Sequence, residues 1–253
     1  MPDLTNWLLV FVRASALLAI FPLFSATNVP IHVRIGLGAF GSFLVAPLLP
    51  AIPVGSLSLW ALIHLIFIEA SVGLLLGFVS RMVFYAIEFA GGIISTEMGL
   101  MLSANFNPAA NTTMAAPGMI LHWLALMLLL SLDLHHWMLV GFQQSYTLVP
   151  VGGAHLSEGL LMDIIGRTGM TFRIALQITA PIMAISFVIT LVFSVLSRAV
   201  PQMNVFSESF PVRTLAGLTV FGLTCNLMAQ HIQNFLQRLP EDVMHVAQLL
   251  GTG

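Results

Sequence analysis

The stretch from residue 57 to residue 103 reads LSLWALIHLIFIEASVGLLLGFVSRMVFYAIEFAGGIISTEMGLMLS. These 47 residues contain no proline, and as one helix they would reach about 70 Å, more than twice a hydrocarbon core of roughly 30 Å. A long bent helical hairpin is therefore expected here. Glu69, Arg81, Glu88 and Glu97 interrupt the apolar pattern, and charges at membrane depth are costly unless they are paired or face a watery path. Arg81 and Glu88, seven apart, fall on one helix face. These buried charges are either an ion pair between packed helices or the lining of a conduit. Gly73 and Gly77, followed by Ser80, form a stripe of small residues that lets a second helix approach closely. That neighbour can belong to the same chain or to another subunit.

The rest of the chain is as apolar as this stretch. Hydrophobic residues make up 58% of the 253, charged residues 7%, and the mean hydropathy is +0.99, against roughly 25% charged in an ordinary soluble domain. An integral membrane protein of all-α class follows, because a water-soluble fold of this length cannot bury so much apolar surface. All basic residues are arginine, and the net charge of −2 offers no field for nucleic acid. The single cysteine, Cys225, excludes an internal disulfide and reads as a small buried hydrophobe.

Apolar segments run over 7–24, 35–54, 57–79, 82–103, 119–142, 171–197 and 214–230, so a conventional count gives six or seven spans. The first resembles a signal peptide only in part: Asp3 is the sole charge before it, Arg13 interrupts it, and Ala14-Ser15-Ala16 lies inside it. A retained first span is expected. In the second, Pro47, Pro50 and Pro53 leave 35–46 as uninterrupted helix, about 18 Å and too short to cross alone. Residues 105–118 hold Asn105, Asn107, Pro108, Asn111, Pro117 and Gly118 and read as a loop between two apolar helices, with Phe106 and Met114 adding bulk. Polar connections are expected over 149–167 and 198–213, and Pro240-Glu241-Asp242 opens a short amphipathic helix over 240–250. The scattered arginines do not fix orientation, and no repeat or linker divides the chain, which reads as one domain, 1–253.

No chemistry is legible. Eight histidines include no His-x-x-x-His pair, and neighbouring His135 and His136 are expected to point apart, so no metal site is expected. Asp133 and His135, two apart, should lie on different helix faces. With no nucleophile elbow and no phosphate-binding loop, neither an enzyme activity nor a cofactor is expected.

The run Arg198-Ala-Val-Pro201-Gln202-Met203-Asn204-Val-Phe-Ser-Glu-Ser-Phe210-Pro211-Val-Arg213 resembles the Arg-x-x-Pro-Gln-Met-Asn segment of the flagellar export family FliR. Arg13 with Pro22-Leu-Phe24, Val29-Pro30 and Val33-Arg34-Ile35 is similar to that family's N-terminal pattern. So is Glu69-x-x-x-Gly73-x-x-x-Gly77-Phe78, leading to Ala90-Gly91. Two places depart from the family: Asp133-Leu134-His135-His136 stands where Asn-Gly-His is common, and Arg213 where lysine is frequent.

The resemblance implies an R-type subunit of a type III secretion export gate, a helical hetro-oligomer with P-type and Q-type partners beside further export-apparatus membrane proteins. It would sit in the bacterial inner membrane at the centre of the flagellar basal body, largely raised out of the lipid, and help form the conduit for unfolded secretion substrates. The family's plug loop maps onto 105–118, with Asn105, Phe106, Asn107, Pro108 and Met114 as gating residues. Gly73, Gly77, Arg198, Pro201, Gln202, Met203 and Asn204 would serve packing and assembly. Met203, where injectisome relatives more often carry leucine, points to a flagellar member. The alternatives are the homologous injectisome subunit, an assembly factor that never meets cargo, and a small secondary transporter using Glu69, Arg81, Glu88 and Glu97.

Overall fold

The computed structural model describes residues 4–25, 29–49, 58–100, 116–202 and 204–252, and the described residues form helices joined by turns. They are α1 (Leu4–Ile20), α2 (Pro22–Ser25), α3 (Ile31–Val45, continued by a 3-10 turn Ala46–Leu48), α4 (Leu59–Glu97), α5 (Ala116–Ser131), α6 (Leu134–Leu148), α7 (Glu158–Ala199), α8 (Val205–Leu236) and α9 (Leu239–Gly251). Among the described residues, four helical stretches are long and apolar enough to cross a membrane, at Ile31–Leu48, Leu59–Glu97, Glu158–Ala199 and Ser207–Gly251. A fifth results if α5 and α6 form one broken span. Hydropathy alone divides the chain into six or seven segments, whereas the described helices group them into these longer stretches.

The expected hairpin over 57–103 is instead a single helix: α4 runs unbroken for 39 residues, about 59 Å. Bilayer thickness limits the lipid-facing part of a helix, not its length, and nothing between Leu59 and Glu97 breaks the backbone ladder. The polar connections also shrink, since α7 begins at Glu158 and α8 at Val205. Ser157 accounts for the first: its Oγ accepts the Leu160 N–H at 3.2 Å, and Glu158 adds an acid to the first turn. Contrary to expectation, the second segment is not too short to cross: it begins at Ile31 and a 3-10 turn carries it through Pro47 to Leu48, while Pro181 and Pro211 lie inside continuous helices. A lost backbone bond is tolerated there because the flanking turns keep theirs. The last helix starts one residue before the expected 240–250, with Pro240 in its first turn.

Serine and threonine hydroxyls are satisfied along these apolar helices by bonding back one turn. Ser71 donates to Phe67 O, Ser80 to Leu76 O and Thr224 to Val220 O at 2.7–2.8 Å. At most a third of the most apolar window of each long helix is buried within the chain. Large apolar side chains such as Phe40, Trp60, Phe67, Phe187 and Leu223 therefore face outward. Cys225, expected to be buried, is half-buried on α8 for the same reason.

The chain divides into two compact units, one of residues 1–82, 129–168 and 236–253, the other of 83–128 and 169–235. In the first, α1 buries Leu9, Val10, Arg13, Ala14, Leu17 and Leu18, and α9 packs on α6 through Val246, Ala247 and Leu250. In the second, Ile87, Ala90 and Ile94 of α4 join Leu121 and Ala125 of α5 and Ile174, Ile178 and Ile182 of α7 in the core.

Candidate functional site

The first unit is organised around one ion pair with no solvent exposure. Arg13 of α1 holds Glu69 of α4 in a fork, Nε to Oε2 at 2.6 Å and Nη2 to Oε1 at 3.0 Å. The remaining donors are used as well: Nη1 reaches Ser145 Oγ at 3.2 Å and Val149 O at 3.1 Å, and Nη2 reaches the same carbonyl at 3.2 Å. The guanidinium lies 3.9 Å from the centre of the Tyr146 ring, and the Gly152 N–H donates to Glu69 Oε1 at 3.0 Å. Two buried charges are tolerable only when paired and hydrogen-bonded in this way. The cluster ties α1, α4, the end of α6 and the turn after it to one point.

The small-residue stripe lies on the same face of α4. A Cβ on Gly73 would stand 2.3 Å from Arg13 O and 2.8 Å from Ala16 Cβ, and one on Gly77 would stand 3.0 Å from Leu17 O. Glu69, Gly73 and Gly77 follow at four-residue spacing, one turn apart, so the face that carries the carboxylate also brings the two backbones together. Of the four charges expected to be buried, only Glu69 is; Arg81, Glu88 and Glu97 are half-buried. A continuous helix turns by about 100° per residue, so these positions do not share the helical face of Glu69. Arg81 donates to Ser25 Oγ at 3.2 Å.

In the second unit the end of α4 is held from two sides. Ser186 of α7 donates to the Glu97 carboxylate, Arg213 of α8 donates to Ser186 Oγ and to Thr190 Oγ1, and Thr214 Oγ1 donates to Met98 O at 2.9 Å. Gly99 adopts φ +75° with the Phe210 ring 2.6 Å from where a Cβ would stand, a position suited to glycine on both counts. Gly91 and Gly118 bring α4 and α5 into backbone contact: a Cβ on Gly91 would lie 2.4 Å from Gly118 Cα. Ala116, Pro117 and Gly118 open α5, so the end of the expected loop 105–118 is helical, as a proline in a first turn favours. Asn105, Phe106, Asn107, Pro108 and Met114, the expected gating residues, lie outside the described residues.

Of the signature segment, Arg198, Pro201, Gln202 and Asn204 are exposed and Met203 is outside the described residues. Asn204 caps α8: its Oδ1 accepts the Ser207 N–H at 3.4 Å and its carbonyl accepts the Glu208 N–H at 3.1 Å. Asn204→Ala is expected to cost about 1 kcal/mol of helix stability and to lower complex yield. Exposed Gln202→Ala should lower yield with no change in the melting temperature of the isolated chain. Melting and yield measured together check both, and an assembled complex that leaks ions would instead put these residues on the pore.

Sequence reasoning missed Arg13 as a site residue, with its partners Ser145, Tyr146, Val149 and Gly152. A lone arginine in an apolar run is the same signal that singled out Glu69. The histidines need a correction: the rings of His135 and His136 do not point apart but have their centres 4.1 Å from each other. Both lie in the first turn of α6, where bulky neighbouring rings still meet, and Asp133 stands outside that helix in the left-handed conformation, φ 55°, so the helix-face argument does not separate it from His135.

Residues 4–239 match the family described as bacterial export proteins, family 1. Among similar proteins is the flagellar biosynthetic protein FliR of Pectobacterium carotovorum subsp. carotovorum, 30% identical over 96% of this chain and 95% of its own. The proteins of the same name from Escherichia coli K12 and Bacillus subtilis 168 are each 28% identical over 97% of this chain and 96% and 95% of theirs. With a match that runs from α1 through α8 and stops at the first residue of α9, the chain belongs to the bacterial export proteins, family 1.

Proposed function

We propose that this chain is a subunit of the flagellar protein-export gate that assembles with P-type and Q-type subunits and other export-apparatus membrane proteins in the bacterial inner membrane. At the centre of the basal body it helps form the conduit for unfolded secretion substrates, with both compact units acting as one subunit, 1–253, and with no reaction of its own. The observation that carries this is the near full-length likeness to proteins named flagellar biosynthetic protein FliR. The helices support it physically. α4 and α7 run about 59 and 63 Å, so lipid of roughly 30 Å covers only part of their outward apolar surface, and partner helices are suited to cover the rest. A secondary transporter is disfavoured because Glu69 has both carboxylate oxygens engaged and no solvent exposure.

Residues 105–118, with Asn105, Phe106, Asn107, Pro108 and Met114, are the plug of the conduit in this reading, bulky side chains excluding water and ions until cargo displaces them. Two measurements test the proposal. In mild detergent the chain should copurify with P-type and Q-type subunits; a stable homo-oligomer without them would favour the transporter. In the complete gate, Phe106→Ala should leave assembly intact and raise ion conductance before secretion fails. Unchanged conductance, with residues 105–115 shortened as well, would reduce the segment to a connector.

A further inference from the structure

At the break between α5 and α6 three potential metal ligands converge. Asp133, His135 and His136 each offer one ligand atom, and the three atoms lie within 4.8 Å of one another. The left-handed backbone at Asp133 turns its carboxylate back over the first turn of α6, where His136 Nδ1 stands 3.5 Å from Asp133 Oδ1. The His135 ring lies alongside that of His136, and its Nδ1 is shielded from solvent with no hydrogen-bond partner among the described residues. An imidazole nitrogen withdrawn from water and left unsatisfied is costly, and a bound cation would satisfy a nitrogen of this kind.

We propose that Asp133, His135 and His136 bind a divalent transition-metal cation of the Zn²⁺ class. Two imidazoles and one carboxylate suit zinc, nickel, cobalt or copper better than calcium or magnesium, which prefer oxygen ligands. Donors around a tetrahedral zinc ion sit roughly 3.4 Å apart, so the ligand atoms farthest from one another must draw together by up to about 1.4 Å. The side chains of Asp133 and His136 are largely exposed and free to rotate. The positive end of the α6 dipole opposes a cation at this place, and the Asp133 carboxylate offsets it. A three-ligand site on the surface leaves at least one position open to water, which points to moderate affinity. Binding fixes the left-handed turn at Asp133 and with it the direction in which α6 leaves the break.

The test uses the full chain without a polyhistidine tag, purified in detergent and stripped with chelator. Co²⁺ should give visible absorption bands that Zn²⁺ abolishes at one equivalent, and Zn²⁺ should raise the melting temperature of the chain. Asp133→Asn, His135→Ala and His136→Ala should each weaken Zn²⁺ binding at least tenfold, while His231→Ala on α8 leaves it unchanged. Exposed His136 serves as the control for folding, since its loss should not alter the melting temperature without metal. The proposal is overturned by the absence of saturable Zn²⁺ uptake, or by uptake that survives the three substitutions or depends equally on His231.

Discussion

Glu69→Ala is expected to prevent the chain from accumulating in the membrane. The substitution removes the carboxylate that occupies Nε and Nη2 of Arg13 and leaves a guanidinium with no solvent exposure and no counter-charge. It also strands the Gly152 N–H. Removing one partner of a buried pair costs about 3–5 kcal/mol, a large share of a total stability of roughly 5–15 kcal/mol. Arg13→Ala should be similarly damaging. Arg13→Lys should recover only part of the loss, because an ammonium cannot make the two-pronged contact or lie flat against Tyr146. The double variant Arg13→Met with Glu69→Leu is the informative control: with neither charge left buried, it should be more stable than either single alanine variant. Membrane yield and melting temperature in detergent would decide this. A Glu69→Ala chain as stable as the parent would mean that the pair does not organise the first unit.

How much of this was legible depends on whether the signal was local. The rarity of charges marks Glu69 within its apolar run, but its partner lies 56 residues away, and no spacing rule reaches that far. Arg13 carries the same mark, but it enters the sequence reading as an interruption of a signal-like run and as part of a family pattern, not as a buried charge in need of a partner. The starts of α7 and α8 were legible in principle: Ser157 before Glu158, and Asn204 four residues before Glu208, are both cap-and-acid patterns. Average polarity over 149–167 and 198–213 hid them, since an amphipathic helix of mixed composition looks like a connector to a hydropathy window. The hairpin expected over 57–103 came from assuming that a helix ends where the bilayer does. The pairing of Gly91 with Gly118 and of Gly99 with Phe210 depends on which helices meet, and glycines alone do not say that.

Gly73 is the position where a single methyl group is expected to do the most damage. Even the Cβ of Gly73→Ala would fall 2.3 Å from the carbonyl oxygen of Arg13 and 2.8 Å from Ala16 Cβ. The nearer atom is backbone and cannot swing aside, so α1 must move off α4 as a body. That displacement drags the guanidinium of Arg13 from the carboxylate one turn below Gly73, and the packing loss is compounded by strain in the buried pair. Gly73→Leu should be worse, with no folded chain recovered. Gly77→Ala should be milder, because its Cβ meets Leu17 O at 3.0 Å and Ile20 Cβ at 3.1 Å, contacts that a shift of a few tenths of an ångström relieves. Gly92→Ala, with nothing within 4 Å of its Cβ, should be neutral or stabilising by about 0.5–1 kcal/mol in a helix interior. The isolated chain in detergent is the right sample for all four, because a stripe that served only contact with another subunit would leave its melting temperature untouched and affect assembly alone. Equal melting temperatures for Gly73→Ala and Gly92→Ala would refute the close approach of α1 to α4.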